Sequence, residues 1–386
     1  MPLRVLLTVL ALVCLSSQAF AADPILIGGI FAESGPTAEI GTATRLVAEM
    51  TLKEINDKGG VLGRPLKLIA YDTQSTPEVA LRMARQLVES DKVLALIGPT
   101  STGEGMAVKK YTEEQKVPTV MTVGGDAIVA GGKYGPFAWT FKVPQRTNTA
   151  VDKIYAYLKA KGLTKVSLLT AKDPFGQDGL DALKAQAVMN GIEIVAEENI
   201  DAKGADFSAE VFKAAMPKPQ AVVIWTIGPA SAIAAKNLAD LPGVRPLVVE
   251  SHGVAGPNFL KLAGVAAENA VMPATKLMVA KGLSASDPQK PVIDAFVANY
   301  EAQGLQAKFP MNTHSGYAAD ALTLLVEGLK KAGKPEPAAL RDALENLKGV
   351  VAISGVYNVT PEDHNGLATD SLVMVQVKDG KFEEAK

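Results

Sequence analysis

The chain has 386 residues, 48% hydrophobic and 21% charged, and its 39 basic and 41 acidic residues leave a net charge of −2. This is the balance of a soluble globular protein long enough for two domains, and it gives no electrostatic footing for nucleic acid or an anionic membrane as partner. Aromatic residues at 5% also argue against stacking platforms for single-stranded nucleic acid.

The first segment reads as a targeting signal. MPLR supplies a positive start, VLLTVLALVCL an apolar stretch too short to span a bilayer comfortably, and Ala19-Phe20-Ala21 a small-x-small cleavage signature. Residues 1–21 are therefore expected to be a cleavable secretory signal peptide, which would export the mature protein. The single cysteine, Cys14, lies inside this stretch. Val13 precedes it where a lipoprotein signal wants a small residue, so lipid anchoring is not expected. The mature chain then has no disulfide, no thiolate metal site and no thiol nucleophile, and its stability must come from its core.

Strand and helix patterns alternate from there on. ILIGGIF (25–31) is an apolar, buried-type strand, and residues 38–57 carry a helical stripe through Ala43, Val47, Met50 and Ile55 that ends at Gly59-Gly60. LKLIAYD (66–72) is a strand. Thr76-Pro77 marks the start of a helix to about residue 90, and VLALIG (93–98) and VPTVMTV (117–123) are further strands. The rhythm restarts after about residue 143. There is a helix near 148–161, the strand KVSLLTA (165–171), a helix over 179–191 and the strand EIVAEENI. AVVIWTI (221–227), a helix over 230–240 and PLVVES (246–251) follow. The segments 289–303, 316–332 and 337–347 are helical and complete the two preceding units rather than form a third. The predicted fold class is α/β, with two doubly wound parallel sheets.

In such sheets ligands sit beyond the carboxyl ends of the strands, where loops lead into helix N-termini. The loops at 32–41, 98–105, 122–127, 171–179, 226–231 and 250–256 all follow predicted strands. GPTSTGEG (98–105) has the look of an anion loop, but Glu104 stands after its second glycine and no lysine follows, so it is not a phosphate-binding P-loop. ILIGGIF lacks the GxGxxG turn of a dinucleotide site. The three histidines, His252, His314 and His364, lack metal-ligand spacing, and no GxSxG elbow is present. Neither an enzyme, a metal site nor a cofactor is expected.

The signal segment, ILIGGIFAESGPTAEIG, EINDKGGVLGRPLKLIAYD, VLALIGPTSTG and DPFGQDG together resemble the periplasmic solute-binding proteins of branched-chain amino acid ABC transporters, the type I leucine/isoleucine/valine-binding kind, over nearly the whole mature chain. NDKGGVLGRPL is the most specific of these stretches. The resemblance implies a monomeric two-lobed clamp, with residues 24–144 plus 274–353 as one lobe and 145–273 plus 354–386 as the other. Hinge crossings would fall near Pro144, Pro273 and Ser354. A small-molecule ligand would be held between the lobes and delivered to membrane permease subunits.

The resemblance also assigns a ligand site. Thr102 matches the hydroxyl that meets the ligand carboxylate, within the run Thr100, Ser101, Thr102 and Gly103, and Gly124 matches a backbone contact. Departures cluster on the other side. Asp126 stands at a second hydroxyl position, and His252 stands where an acid usually pairs the ligand ammonium, with Glu250 two residues earlier. Ile40 and Phe175 replace tyrosines, and Trp225 and Thr226 fall at ligand-facing positions. Trp225 reads equally well as core, and Asp126 as a helix cap. Glu250 shares the direction of His252 only if the strand runs that far. These departures set an aromatic or other apolar organic acid beside a branched-chain amino acid as ligand, because a buried ammonium needs a paired anion. A ligand-sensing receptor domain is the alternative of another class.

Overall fold

The computed structural model describes residues 23–386 apart from residue 244; the expected signal peptide lies outside the described residues. The first sheet is built from β1 (Ile25–Phe31), β2 (Leu66–Asp72), β3 (Ala95–Ile97), β4 (Thr119–Met121) and β5 (Thr140–Lys142), all parallel, in the order β2-β1-β3-β4-β5. The helices α1 (Ala38–Asp57), α2 (Pro77–Arg85) and α3 (Thr102–Gln115) connect its strands. α2 opens at Thr76 with proline in its first turn as expected, although the Thr76 hydroxyl donates to the Gln74 carbonyl rather than capping the helix.

After β5 the chain enters α4 (Thr147–Ala160) and the second sheet. That sheet holds β6 (Lys165–Ala171), β7 (Glu193–Ile200), β8 (Ala221–Trp225), β9 (Leu247–Glu250) and β10 (Val271–Thr275), parallel, in the order β7-β6-β8-β9-β10. The helices α5 (Pro174–Asn190), α6 (Ser208–Ala215), α7 (Pro229–Asp240) and α8 (Pro257–Ala263) accompany it. α5 starts five residues before the expected Gly179, because Asp173 caps it by accepting from the Gly176 N–H at 2.8 Å and Pro174 supplies its first turn.

Within the second sheet, two strands depart from the all-parallel expectation. β13 (Leu372–Lys378) runs antiparallel to β10, and β14 (Lys381–Glu384) antiparallel to β13. The two-residue turn between them is Asp379-Gly380, with φ of 50° and 67°, the left-handed pair that a tight hairpin demands. Between β10 and β13 the chain makes α9 (Lys290–Ala302), α10 (Tyr317–Ala332), α11 (Pro337–Leu344) and the short pair β11 (Val350–Val351) and β12 (Val356–Tyr357). These pack on the first sheet: Ile293, Phe296, Leu325, Leu329, Leu340 and Tyr357 share a core with Ile27, Val47 and Ile97. The late helices thus complete the first lobe and make no third unit.

The chain passes between the lobes three times. The first passage follows β5. The second follows Thr275, past Pro273, which is paired with Met374 inside the second sheet. The third lies between Leu367, in the first core, and Leu372, in the second sheet, so Ser354 still belongs with the first lobe. Side chains tie these passages together: the Gln145 amide donates to the carbonyls of Ser354 (2.7 Å) and Ser371 (3.3 Å), and the Asn365 amide to those of Lys142 and Pro144 (2.9 and 2.8 Å).

Candidate functional site

The carboxyl ends of both sheets face one another across a cleft, the place where doubly wound sheets take ligands. On the first lobe the wall is the loop after β3. Gly98 sits at φ +99°, and a Cβ there would lie 2.1 Å from the Ile30 carbonyl oxygen, so only glycine permits this tight exit beside β1. The Thr100 hydroxyl accepts from the Ala32 N–H at 2.9 Å. Ser101 and Glu104 then form a capping box. The Ser101 hydroxyl caps α3, and the Glu104 carboxylate accepts from the Ser101 N–H and hydroxyl, both at 2.8 Å, and from the Thr73 hydroxyl. Glu104, fully buried, is thus spent on holding the loop.

Thr102 follows as the first residue of α3, buried at the mouth of the loop. Its hydroxyl oxygen accepts from the Gly125 N–H at 3.1 Å and keeps its own proton to donate. Thr122 donates to the Pro99 carbonyl at 2.7 Å. Gly103 turns toward Pro174 of the other lobe, where a Cβ would stand 3.8 Å away.

The opposing wall is aromatic. Phe175, Trp225 and His252 pack as three rings with centroids 5.5–5.7 Å apart. Thr100, Ser101, Thr102, Thr122 and Gly124 meet Phe175, Ile227 and His252 around a cavity of about 20 Å³, closed by Gly253, His314 and Tyr317. Among these lining residues there is no aspartate, glutamate, lysine or arginine. His252 is buried, and neither ring nitrogen has a partner within the protein. Burial, with Lys142 nearby, pushes its imidazole down to about 3, so at neutral pH it offers one N–H and one lone pair without charge.

The other expected residues sit elsewhere. Asp126 does not line the cavity. Its carboxylate accepts from the Thr147 and Asn148 N–H groups (3.0 and 3.4 Å), the first of α4, and from Lys142 and Arg146 at 3.4 Å. It is a helix cap, but of α4 rather than of the turn that follows it. Trp225 is fully buried behind Phe175 and His252, and Thr226 is fully buried with its carbonyl accepting from the Ser251 hydroxyl at 2.8 Å. β9 ends at Glu250, so the alternation does not reach His252. In register with Ile224, which packs in the core on the α7 side, Glu250 is fully buried on that side, beside Ser231 of α7. Burial holds its carboxyl well above the usual range. Ile40 lines a second, outer cavity together with Gly253 and His314. His314, in the loop before α10, and Tyr317, the first residue of α10, complete the inner cavity; they lie far along the chain in the first lobe and no local motif marks them for the site.

Two doubly wound lobes, joined by three passages and enclosing a polar-and-aromatic cavity, define a two-lobed ligand-binding protein. The chain belongs to the periplasmic binding protein family, whose model matches residues 24–381, and within it to the type I, branched-chain amino acid kind. It is 26% identical to Leu/Ile/Val-binding protein homolog 3 of Brucella melitensis over 380 residues, covering 95% of this chain and 98% of that one. It is 25% identical to the leucine-, isoleucine-, valine-, threonine-, and alanine-binding protein of Pseudomonas aeruginosa over 340 residues, 88% of this chain and 87% of that one. The structure superposes on an extracellular ligand-binding receptor from Rhodopseudomonas palustris HaA2 with a TM-score of 0.85 and 27% identity, covering 94% and 99% of the two chains.

Proposed function

We propose that this chain is the periplasmic binding subunit of an ABC importer, and that it holds a small carboxylate lacking a charged amino group, aromatic or otherwise apolar, and passes it to membrane permease subunits. One observation carries this reading: the inner cavity joins hydroxyl donors to aromatic walls and has no ionised side chain in its lining. A carboxylate is served by the Thr102 hydroxyl, the α3 N-terminus and a neutral His252 N–H. An α-ammonium would need a buried anion beside it, and acids two positions from lining residues are held elsewhere: Glu104 in the capping box, Asp126 at the start of α4 and Glu250 on the α7 side of its sheet. The names of the Brucella and Pseudomonas relatives speak for an amino acid; the lining of this cavity speaks against its ammonium.

The test is calorimetry on ligand-stripped, refolded protein, with benzoate against leucine, isoleucine and valine. Benzoate-type acids are expected to bind and the amino acids to bind weakly. Tight leucine binding would overturn the ligand class while leaving the importer role standing. Mass spectrometry of whatever copurifies addresses the same question without a chosen panel.

A further inference from the structure

Two cavities open between the lobes, and one side chain divides them. The inner one, about 20 Å³, has room for a single water-sized group. The outer one, about 250 Å³, lies between the start of α1 and the loops before α7 and α8. Gly253 and His314 line both. His314 comes from the loop before α10. Its Nε2 is 3.0 Å from the Gly253 carbonyl oxygen, and its ring stands edge-on to Tyr317 at 5.6 Å. One hydrogen bond and one ring contact thus hold the partition, in a side chain that is only partly buried.

Sites for small molecules commonly occupy about 300–1,000 Å³. The inner cavity alone holds neither a leucine side chain nor an aromatic ring, whereas the two joined come to about 270 Å³, just under that range. The outer cavity has the complementary character: Ile40, Pro229, Val254 and Phe259 give it apolar walls, and Glu39 and Asn258 lie at its polar side.

Resting on the carboxylate reading above, we infer that the ligand is an extended monocarboxylate that seats one carboxylate oxygen in the inner cavity and lays its body in the outer one, with His314 as the positioning residue that separates or joins the two. Glu39 makes the distal end hostile to a second carboxylate, since like charges brought together in a half-closed cleft repel. A neutral end meets the Glu39–Asn258 pair, with Lys261 nearby, without that cost.

The experiment is a chain-length series measured by calorimetry on ligand-stripped protein: butanoate, hexanoate, octanoate and octanedioate, with benzoate as a short, wide reference. Octanoate is expected to bind at least tenfold more tightly than butanoate, and octanedioate at least tenfold more weakly than octanoate. Glu39→Gln should narrow the second gap. His314→Ala should change the affinity for octanoate by at least tenfold more than that for butanoate, and His314→Gln should restore the wild-type ratio. Affinity that is flat or falls with length while butanoate or benzoate binds overturns this inference alone. An equal effect of His314→Ala on every length overturns the partition. Failure of every acid to bind overturns the carboxylate reading and this inference with it. The wild-type series decides the matter even if a variant fails to fold.

Discussion

The Asp178 carboxylate of the second lobe accepts a hydrogen bond from the backbone N–H of Asp126 in the first, at 2.7 Å, in a site where both residues are buried. The same oxygen accepts from the Thr147 hydroxyl at the hinge. Burial, reinforced by the Asp126 charge, raises the Asp178 carboxyl above its usual range, while the fully buried Lys142 ammonium is held below its own by burial. Two carboxylates and one ammonium therefore meet where the lobes pivot, and the Asp178–Asp126 bond spans the two lobes.

Asp178→Ala should loosen the closed form. It leaves the Asp126 N–H and the Thr147 hydroxyl without their acceptor, at about 1–3 kcal/mol. Ligand affinity should fall by roughly five- to a hundredfold, since closure and binding are linked, and small-angle scattering of the ligand-free variant should show a wider molecule than wild type. Unchanged affinity and identical profiles would show that the bond has no part in closure.

Glu250 yields a prediction about pH. Its folded-state carboxyl is raised well above the ordinary 4.5. Such a group favours the folded state fully below the unfolded value, and this contribution is lost as pH rises through the folded value. Glu250→Gln, neutral at every pH, should therefore melt with the wild type at pH 4 and above it at pH 8. Ligand affinity should be unchanged, because Glu250 faces α7 and not the cavity. Loss of binding in this variant would instead place the carboxylate in the site.

The alternation of strands and helices was open to sequence reasoning because buried parallel strands are continuous apolar runs bounded by turn residues, as in ILIGGIF and AVVIWTI. β5 and β10 lack such a run: TFK ends in a lysine, and VMPAT carries Pro273, which ordinarily argues against a central strand; the Asp379-Gly380 hairpin signal went unused. At the site, the resemblance points to Thr102, Phe175 and His252, which stand in the first turn of α3, the first turn of α5 and the loop after β9, all beyond the carboxyl ends of strands. Asp126 was not assignable, because its helix partner begins 21 positions away at Thr147. Glu104 was read only as an obstacle to phosphate, although Ser101 three positions before it spells a capping box. His314 has no local signature at all; only the folded chain brings it to Gly253.

The capping box can be tested directly. Glu104→Ala removes the acceptor of the Ser101 N–H, the Ser101 hydroxyl and the Thr73 hydroxyl in a fully buried place. Destabilisation of about 2 kcal/mol or more is expected in urea unfolding. Glu104→Gln, which still completes a capping box, should recover part of it. A loss under about 0.5 kcal/mol in the alanine variant would mean the loop is held by other contacts.

Thr102→Ala should weaken ligand binding by about 1.5–3 kcal/mol, the scale of a hydrogen bond to a charged group, and Thr102→Ser should keep most of the affinity. The Gly125 N–H also loses its acceptor in the alanine variant, so a modest drop in melting temperature should accompany the change. Equal affinity for wild type and Thr102→Ala, measured by calorimetry, would remove this hydroxyl from the site.

Gly124 and Gly103 make a matched pair for testing the closed cleft. Both lie on the first lobe and face the second, and neither has a positive φ, so alanine strains neither backbone. A Cβ on Gly124 would stand 2.9 Å from Phe175 Cε2 and 3.1 Å from His252 Nε2, whereas one on Gly103 would meet only Pro174 and Pro77 at 3.8–3.9 Å. The first is an overlap between two packed walls, which cores resist at a cost of about 1–3 kcal/mol; the second is ordinary contact, and alanine also suits the first turn of a helix better than glycine. Gly124→Ala should therefore fold with nearly wild-type stability, bind ligand at least tenfold more weakly and stay wide in scattering at saturating ligand. Gly103→Ala should bind and close as wild type does. If both variants close normally, the Phe175 and His252 wall does not meet Gly124 in solution, and the inner cavity is not the place where the two lobes come together.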